Sequence, residues 1–273
     1  MNSRLCCLCT ALFIGLNIIG CGKTMESTWV RSPLVVDGNG GDWSKYPLQY
    51  NEDLNLVYGF ANDDSLLYCM IRFNDQHLAE MMAIRGFTLW ANDPDEEEKL
   101  WGIHYQDPSL REKFMNRPHR GRRQGDQQND PFRKTIPPNG RFTVVRHDTE
   151  SEPDVRDCDG LNAAAGLEGG LYCFEFSLAF QGAASLSYHL NSSPGKSIKV
   201  GFEIAGVSEE EQERIKEEMA ERREEMGEER DGMRDGRRGE IGGRPGGSFY
   251  MPDMDGDEFW VTLKLATKQT AQQ

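Results

Sequence analysis

The sequence predicts an all-β protein, an antiparallel β-sandwich interrupted by two polar insertions, the second of them partly helical. Three observations carry this expectation. Short runs of alternating apolar and polar residues recur between turn residues from Pro33 to Ala266, the pattern of strands that bury one face. No amphipathic helix is read between those runs, whereas a parallel sheet would need helical crossovers. Roughly eight or nine such strands suffice for two packed sheets.

The folded part is expected to open at Pro33-Leu34-Val35-Val36, followed by Asp37-Gly38 and Asp42-Trp43. Leu56 to Ala61 and Leu66 to Phe73 then form a hairpin around Asn62-Asp63-Asp64-Ser65, residues whose short polar side chains favour turns. Gly86 to Asn92 and Leu100 to Tyr105 pair across an acidic turn, and Phe142 to Arg146, Leu171 to Leu178, Ile198 to Ala205 and Glu258 to Ala266 complete the set. Period-2 spacing puts Leu67, Cys69, Ile71 and Phe73 on one face, as it does Tyr172, Phe174, Phe176 and Leu178. Val200, Phe202 and Ile204 form a third apolar face, and Phe259, Val261, Leu263 and Leu265 a fourth. Trp260 falls out of phase with the last of these, so it is expected on the opposite side of its strand.

The first insertion, residues 107–140, carries Arg111, Lys113, Arg117, Arg120, Arg122, Arg123, Arg133 and Lys134 among prolines, glycines and glutamines. Too few apolar residues are present to bury a core, so a long mobile loop is expected. The second insertion, residues 207–250, starts with Ser208 as N-cap and Glu211 in capping-box position. Glu210 with Arg214 and Glu218 with Arg222 support a charged helix at i,i+4 spacing, before a Gly/Arg-rich stretch over residues 231–247.

At the N-terminus, Arg4 precedes an apolar run from Leu8 to Ile19, too short to span a bilayer. Residues 1–20 therefore read as a signal peptide. Ile18-Ile19-Gly20-Cys21 resembles the lipobox of bacterial lipoprotein precursors, although Ile19 is bulkier than the usual residue there. The resemblance implies a lipid on Cys21 and a cell-envelope location, with Gly22 favouring the outer membrane. Residues 21–32 then read as a tether, residues 33–267 as the sandwich and residues 268–273 as a tail. Of seven cysteines, Cys69, Cys158 and Cys173 lie beyond the leader. Cys69 and Cys173 sit in apolar strand patterns, where a thiol serves as a small core residue. The net charge of −14 argues against nucleic-acid binding, which needs a basic face.

Asp37-Gly38, Asp42-Trp43, the Asn62-Asp63-Asp64 turn and the Leu-Tyr strand that follows resemble the opening of carbohydrate-binding family 9-like domains, members of the wider DOMON-like sandwiches. The Tyr172-to-Leu178 and Gly201-Phe202-Glu203 strands fall where that pattern expects them. The resemblance implies a jelly-roll or immunoglobulin-like sandwich, secretion, and ligands ranging from sugars to haem.

Sugar binding needs aromatic faces for pyranose rings, and Trp90, Trp101 and Tyr105 in the second hairpin are the candidates, with core packing the alternative use of each. Haem ligation would draw on Met70, His77, Met81 and Met82. An acidic run, Asp253-x-Asp255-Gly256-Asp257, departs from a calcium loop in its early glycine and in Lys264 at the twelfth place. Asp37, Asp42, Asp63 and Asp64 suit either a shared site or separate turns. Glu175 and Glu203 could face each other across one sheet as paired carboxylates, or lie on a solvated face. The chain carries none of the nucleophile-elbow, zincin, P-loop or dinucleotide motifs. The sequence therefore points to a non-catalytic module without cofactor or metal, anchored by lipid and binding carbohydrate or envelope glycan. A scaffold that recruits an envelope protein through its insertions is the other class.

Overall fold

The computed structural model describes residues 23–92, 99–115, 138–146, 153–181, 188–206, 212–213, 217 and 256–269. Two six-stranded sheets form a sandwich, as expected. Its strands are β1 (Lys23–Glu26), β2 (Thr28–Trp29), β3 (Gln49–Asn51), β4 (Leu56–Asn62), β5 (Leu66–Phe73), β6 (Phe87–Asn92), β7 (Trp101–Gln106), β8 (Arg141–Arg146), β9 (Leu161–Glu168), β10 (Leu171–Ala179), β11 (Ser197–Ile204) and β12 (Asp257–Lys264). The front sheet runs β1-β12-β11-β6-β7-β8, and the back sheet runs β2-β4-β5-β10-β9 with β3 beside β4.

The apolar faces read from alternation all turn inward. Tyr58, Phe60, Phe73, Phe87, Phe174, Phe176 and Phe202 fill the space between the sheets, each at most 3% exposed. Phe202 stacks on Phe259 with ring centroids 4.5 Å apart. Aromatic residues run through the centre of this core, and their offset and edge-on contacts add to the burial itself.

The segment read as a tether is instead structure. Lys23 to Glu26 pair parallel with Val261 to Lys264 in the front sheet, and Thr28 and Trp29 pair parallel with Ala61 and Asn62 in the back sheet. The chain changes sheet at Ser27, which is buried. Its hydroxyl donates to Asn62 Oδ1, and both of these oxygens accept the Ala266 N–H at 2.9 Å. Each of these two short parallel strands thereby covers backbone that would otherwise lie unpaired, on β12 in the front sheet and on β4 in the back sheet. Lys23 and Thr24 carry no apolar alternation, which is why the pairing was not legible.

Two helices also depart from expectation. α1 (Gln76–Arg85) joins β5 to β6, and its buried residues are Leu78, Ala79, Met82 and Ala83. The Asp75 side chain caps it by accepting the N–H groups of His77 and Leu78, and Gly86 ends it at φ 102°. Met81 and Met82 are therefore helical. α2 (Pro108–Met115) occupies the start of the basic insertion. Buried Asp107 accepts from Ser109 N and Leu110 N at 2.9 and 3.1 Å, satisfying donors that a helix start leaves orphaned. Residues 116–137 lie outside the described residues, as do those of the second insertion apart from Gln212, Glu213 and Glu217, which are helical. Among the described residues no helix is long and apolar enough to cross a membrane.

The outer face of the back sheet is covered. Val30, Trp43, Tyr68, Met70 and Cys173 form a second apolar cluster there, joined by Leu34, Val36 and Tyr46. Glu175, expected on a solvated face, lies beneath this cover at 1% exposure. Its Oε2 accepts the N–H groups of Asp37 and Gly38 at 3.0 and 2.7 Å, and its Oε1 accepts the indole N–H of Trp43 at 3.0 Å. The Asp37-Gly38 and Asp42-Trp43 signature is thus a strap tied to β10. Gly38 has φ 81°, and a Cβ there would stand 2.6 Å from the Ala165 carbonyl carbon, so only glycine fits. Burial raises the Glu175 pKa, and the three donors oppose that rise without cancelling it.

Candidate functional site

The outer face of the front sheet is built from the residues that alternate away from the core. On β6 these are Thr88, Trp90 and Asn92, because Phe87, Leu89 and Ala91 point inward. Registers place Gly201 of β11 opposite both Trp90 of β6 and Trp260 of β12, and Gly102 of β7 on the other side of Trp90. One row therefore reads Trp260, Gly201, Trp90, Gly102 across four adjacent strands. Both tryptophans are half-buried.

The glycines let the indoles lie down on the sheet. A Cβ on Gly201 would sit 2.7, 2.7 and 2.8 Å from Cη2, Cζ3 and Cε3 of Trp260, so the face of that ring covers the Gly201 backbone. A Cβ on Gly102 would meet Trp90 Cε3 at 3.0 Å. The indole N–H of Trp90 points the other way and donates to Glu203 Oε2. Covering a strand glycine with a cross-strand aromatic also shields its backbone. The result is a shallow aromatic surface running over β12, β11, β6 and β7.

Charged and polar groups border it. Lys99, just before β7, bridges Glu203 at 2.9 Å and Glu258 at 2.7 Å, and its ammonium stands 5.8 Å from the Trp90 ring centroid. Burial works to lower the Lys99 pKa, but the hydrogen bonds to Glu258 and Glu203 outweigh it and the pKa is raised. Thr88 Oγ1 lies 2.9 Å from His104 Nδ1 in the neighbouring row.

The three aromatics expected to form one platform are not together. Trp90 faces outward, whereas Trp101 and Tyr105 share the inner face of β7 with Ile103. Tyr105 is 1% exposed, packed 4.9 Å from Phe174 and 5.1 Å from Phe142. Its hydroxyl accepts the Gly140 N–H, and burial pushes its pKa up to about 12. No ring face of Tyr105 is open to a sugar. Trp101 is half-buried and packs against the core and Tyr188. The residues that the fold brings beside Trp90 are instead Trp260, Gly201, Lys99 and Glu258. The signals were the phase of Trp260 in its strand and the apolar Ile103 between Trp101 and Tyr105.

Other candidates separate in the same way. Glu175 belongs to the back sheet and Glu203 to the front, on opposite outer faces, so they form no carboxylate pair. Met70 lies in the cluster outside the back sheet and Met82 in the core between the sheets, while His77 is exposed on α1. His77 and Met81 stand one turn apart on the same side of α1, so they cannot bracket a haem from its two faces, and Met70 and Met82 lie away from His77. Asp63 holds its own hairpin by accepting Ser65 N and Leu66 N at 2.7 and 2.8 Å. Asp42 accepts Val35 N and Asp37 accepts Asn39 N, so these acids serve separate turns. Asp253 and Asp255 lie outside the described residues, as does Cys21. Cys69, Cys158 and Cys173 are free thiols.

No family model matches the chain, and no curated protein matches it. Among solved structures, it is similar to a carbohydrate-binding module of family 9 from Caldicellulosiruptor kristjanssonii in complex with glucose. That match has 10% identity, spans 69% of this chain and 81% of that one, and has a TM-score of 0.35. The structure of a family 9 module from the same organism with cellotriose matches at 12% identity over 67% and 76% of the two chains, with a TM-score of 0.33.

Proposed function

We propose that this chain is a non-catalytic carbohydrate-binding module of the cell envelope, that Trp90 and Trp260 are its sugar-stacking surface, and that a lipid on Cys21 anchors it. The observation that carries the binding reading is the row Trp260, Gly201, Trp90, Gly102. It presents two indoles lying on glycine backbone beside carboxylate, ammonium, hydroxyl and imidazole groups. A pyranose offers an apolar C–H face and a rim of hydroxyls, so it matches a flat aromatic surface with polar groups at its border. Anchoring rests on the lipobox. With Lys23 already in β1, Cys21 would sit within about 7 Å of chain from the edge of the front sheet, so the anchor would hold that sheet close to the bilayer.

Stacking one sugar face on one indole removes roughly 100 Å² of apolar surface from water, worth about 2.5 kcal/mol. Trp90→Ala and Trp260→Ala should each weaken binding between tenfold and a hundredfold, read by titration calorimetry against a panel of soluble oligosaccharides. Wild-type protein that binds none of the panel, or alanine variants that bind like wild type, would refute the stacking surface. Cys21→Ser should leave unprocessed precursor without acyl mass. Unchanged mass and membrane fractionation would refute the anchor alone.

A further inference from the structure

Glu203 and Glu258 are direct cross-strand partners of β11 and β12, and both alternate to the outer face. Like charges so placed repel and destabilise a strand pair unless a cation lies between them. Here the cation is internal. Lys99 Nζ is within 2.9 Å of Glu203 Oε2 and 2.7 Å of Glu258 Oε2, and it stands 5.8 Å from the centre of the Trp90 ring. Two carboxylates and an indole face make up a receptor for an ammonium group, since a cation within about 6 Å of an aromatic centroid is attracted by the ring quadrupole. Glu203 also orients that indole by accepting its N–H.

Lys99 is a weakly held occupant. The side chains of Lys99, Glu203 and Glu258 are 32%, 27% and 49% exposed, and ion pairs at such exposure contribute little to stability. The two carboxylates and one ammonium leave one excess negative charge at the Glu203–Glu258 end of the stacking surface, while Lys199 stands on the same face at the other end, two residues from Gly201. A neutral sugar would leave Lys99 in place, whereas a sugar with its own ammonium could take over both carboxylates and the ring contact.

Resting on the carbohydrate reading above, we infer that the Trp90–Trp260 surface selects amino sugars whose amine is free, the ligand ammonium replacing that of Lys99 between Glu203 and Glu258. The probes are a tetramer of β-1,4-linked glucosamine, its fully N-acetylated counterpart and cellotetraose, titrated at mildly acidic pH where the sugar amine is charged. The glucosamine tetramer should bind about tenfold tighter than the other two and should lose that advantage at high salt. Glu203→Gln keeps an acceptor for Trp90. Both it and Glu258→Gln should bring the glucosamine tetramer down to the level of the acetylated one. Lys99→Ala should strengthen glucosamine binding several-fold, because it removes the internal competitor, and Asp159→Asn should change nothing, which excludes simple attraction by net charge. Equal or tighter binding of the acetylated tetramer would overturn the inference, and so would weaker glucosamine binding by Lys99→Ala. If the neutral tetramers bind through Trp90 and Trp260 with no gain from the amine, this inference falls and the carbohydrate reading stands. If no tetramer binds, both fall.

Discussion

Truncating Glu175 should release the strap over the back sheet. In the folded chain its carboxylate accepts three hydrogen bonds, from Asp37 N, Gly38 N and Trp43 Nε1, at 1% exposure. Hydrogen bonds to a charged group contribute about 1.5–3 kcal/mol each, and a buried donor left unpaired costs about 1–3 kcal/mol. Part of that is returned on removal, since burial holds the Glu175 pKa above its ordinary value and the carboxylate is therefore itself costly at neutral pH. Glu175→Gln keeps one acceptor oxygen and turns an amide N–H toward at least one donor, for a net loss of about 2 kcal/mol. Glu175→Ala leaves all three donors unpaired and opens a gap under Trp43, for about 4 kcal/mol. At roughly 2–4 °C per kcal/mol for a chain of this size, the alanine variant should melt about 8–16 °C lower by circular dichroism. Trp43 emission should shift to the red as its ring reaches water. A Glu175→Ala variant that melts within about 2 °C of wild type would refute the strap.

Three further outcomes follow from the same geometry. Gly201→Ala places a Cβ 2.7 Å from two ring carbons of Trp260, so it should lift that indole and weaken oligosaccharide binding while the circular dichroism spectrum stays that of a β protein. Trp101→Ala should cost about 2–3 kcal/mol in urea unfolding, less than the 3–5 kcal/mol of a fully buried aromatic, and should leave oligosaccharide affinity unchanged. Burial would raise the Asp63 pKa, but donors from Ser65, Leu66 and Tyr68 outweigh it and hold the pKa below its ordinary value of 3.8. The stability it confers is present above that value and is lost as pH falls through the lower folded value. Asp63→Asn should therefore lose stability relative to wild type at neutral pH, and the gap, followed by urea unfolding, should narrow as the pH drops below 3.8.

Features that depend on neighbours along the chain are legible in the residues alone. Whether Phe174 or Glu175 faces the core follows from two-residue alternation, and the Asn62-Asp63-Asp64-Ser65 turn follows from side chains that bond their own backbone. The caps of α1, Asp75 and Gly86, were equally local and open to reading, although the helix between them is short. Tertiary structure decided what depends on strands distant in sequence. β1 and β2 became strands because the edges of β12 and β4 were free to pair, a fact that Lys23 to Trp29 do not encode. The strap over residues 30–46 buries Glu175 on the outer face of the back sheet, while Glu203 stays half-exposed on that of the front sheet. Trp90 and Trp260 lie 170 residues apart (260 minus 90), and only the β6-β11-β12 order sets them on either side of Gly201. Alternation is a property of each strand, whereas a binding surface is a property of the register between strands, and that register comes from the packing of the whole sandwich.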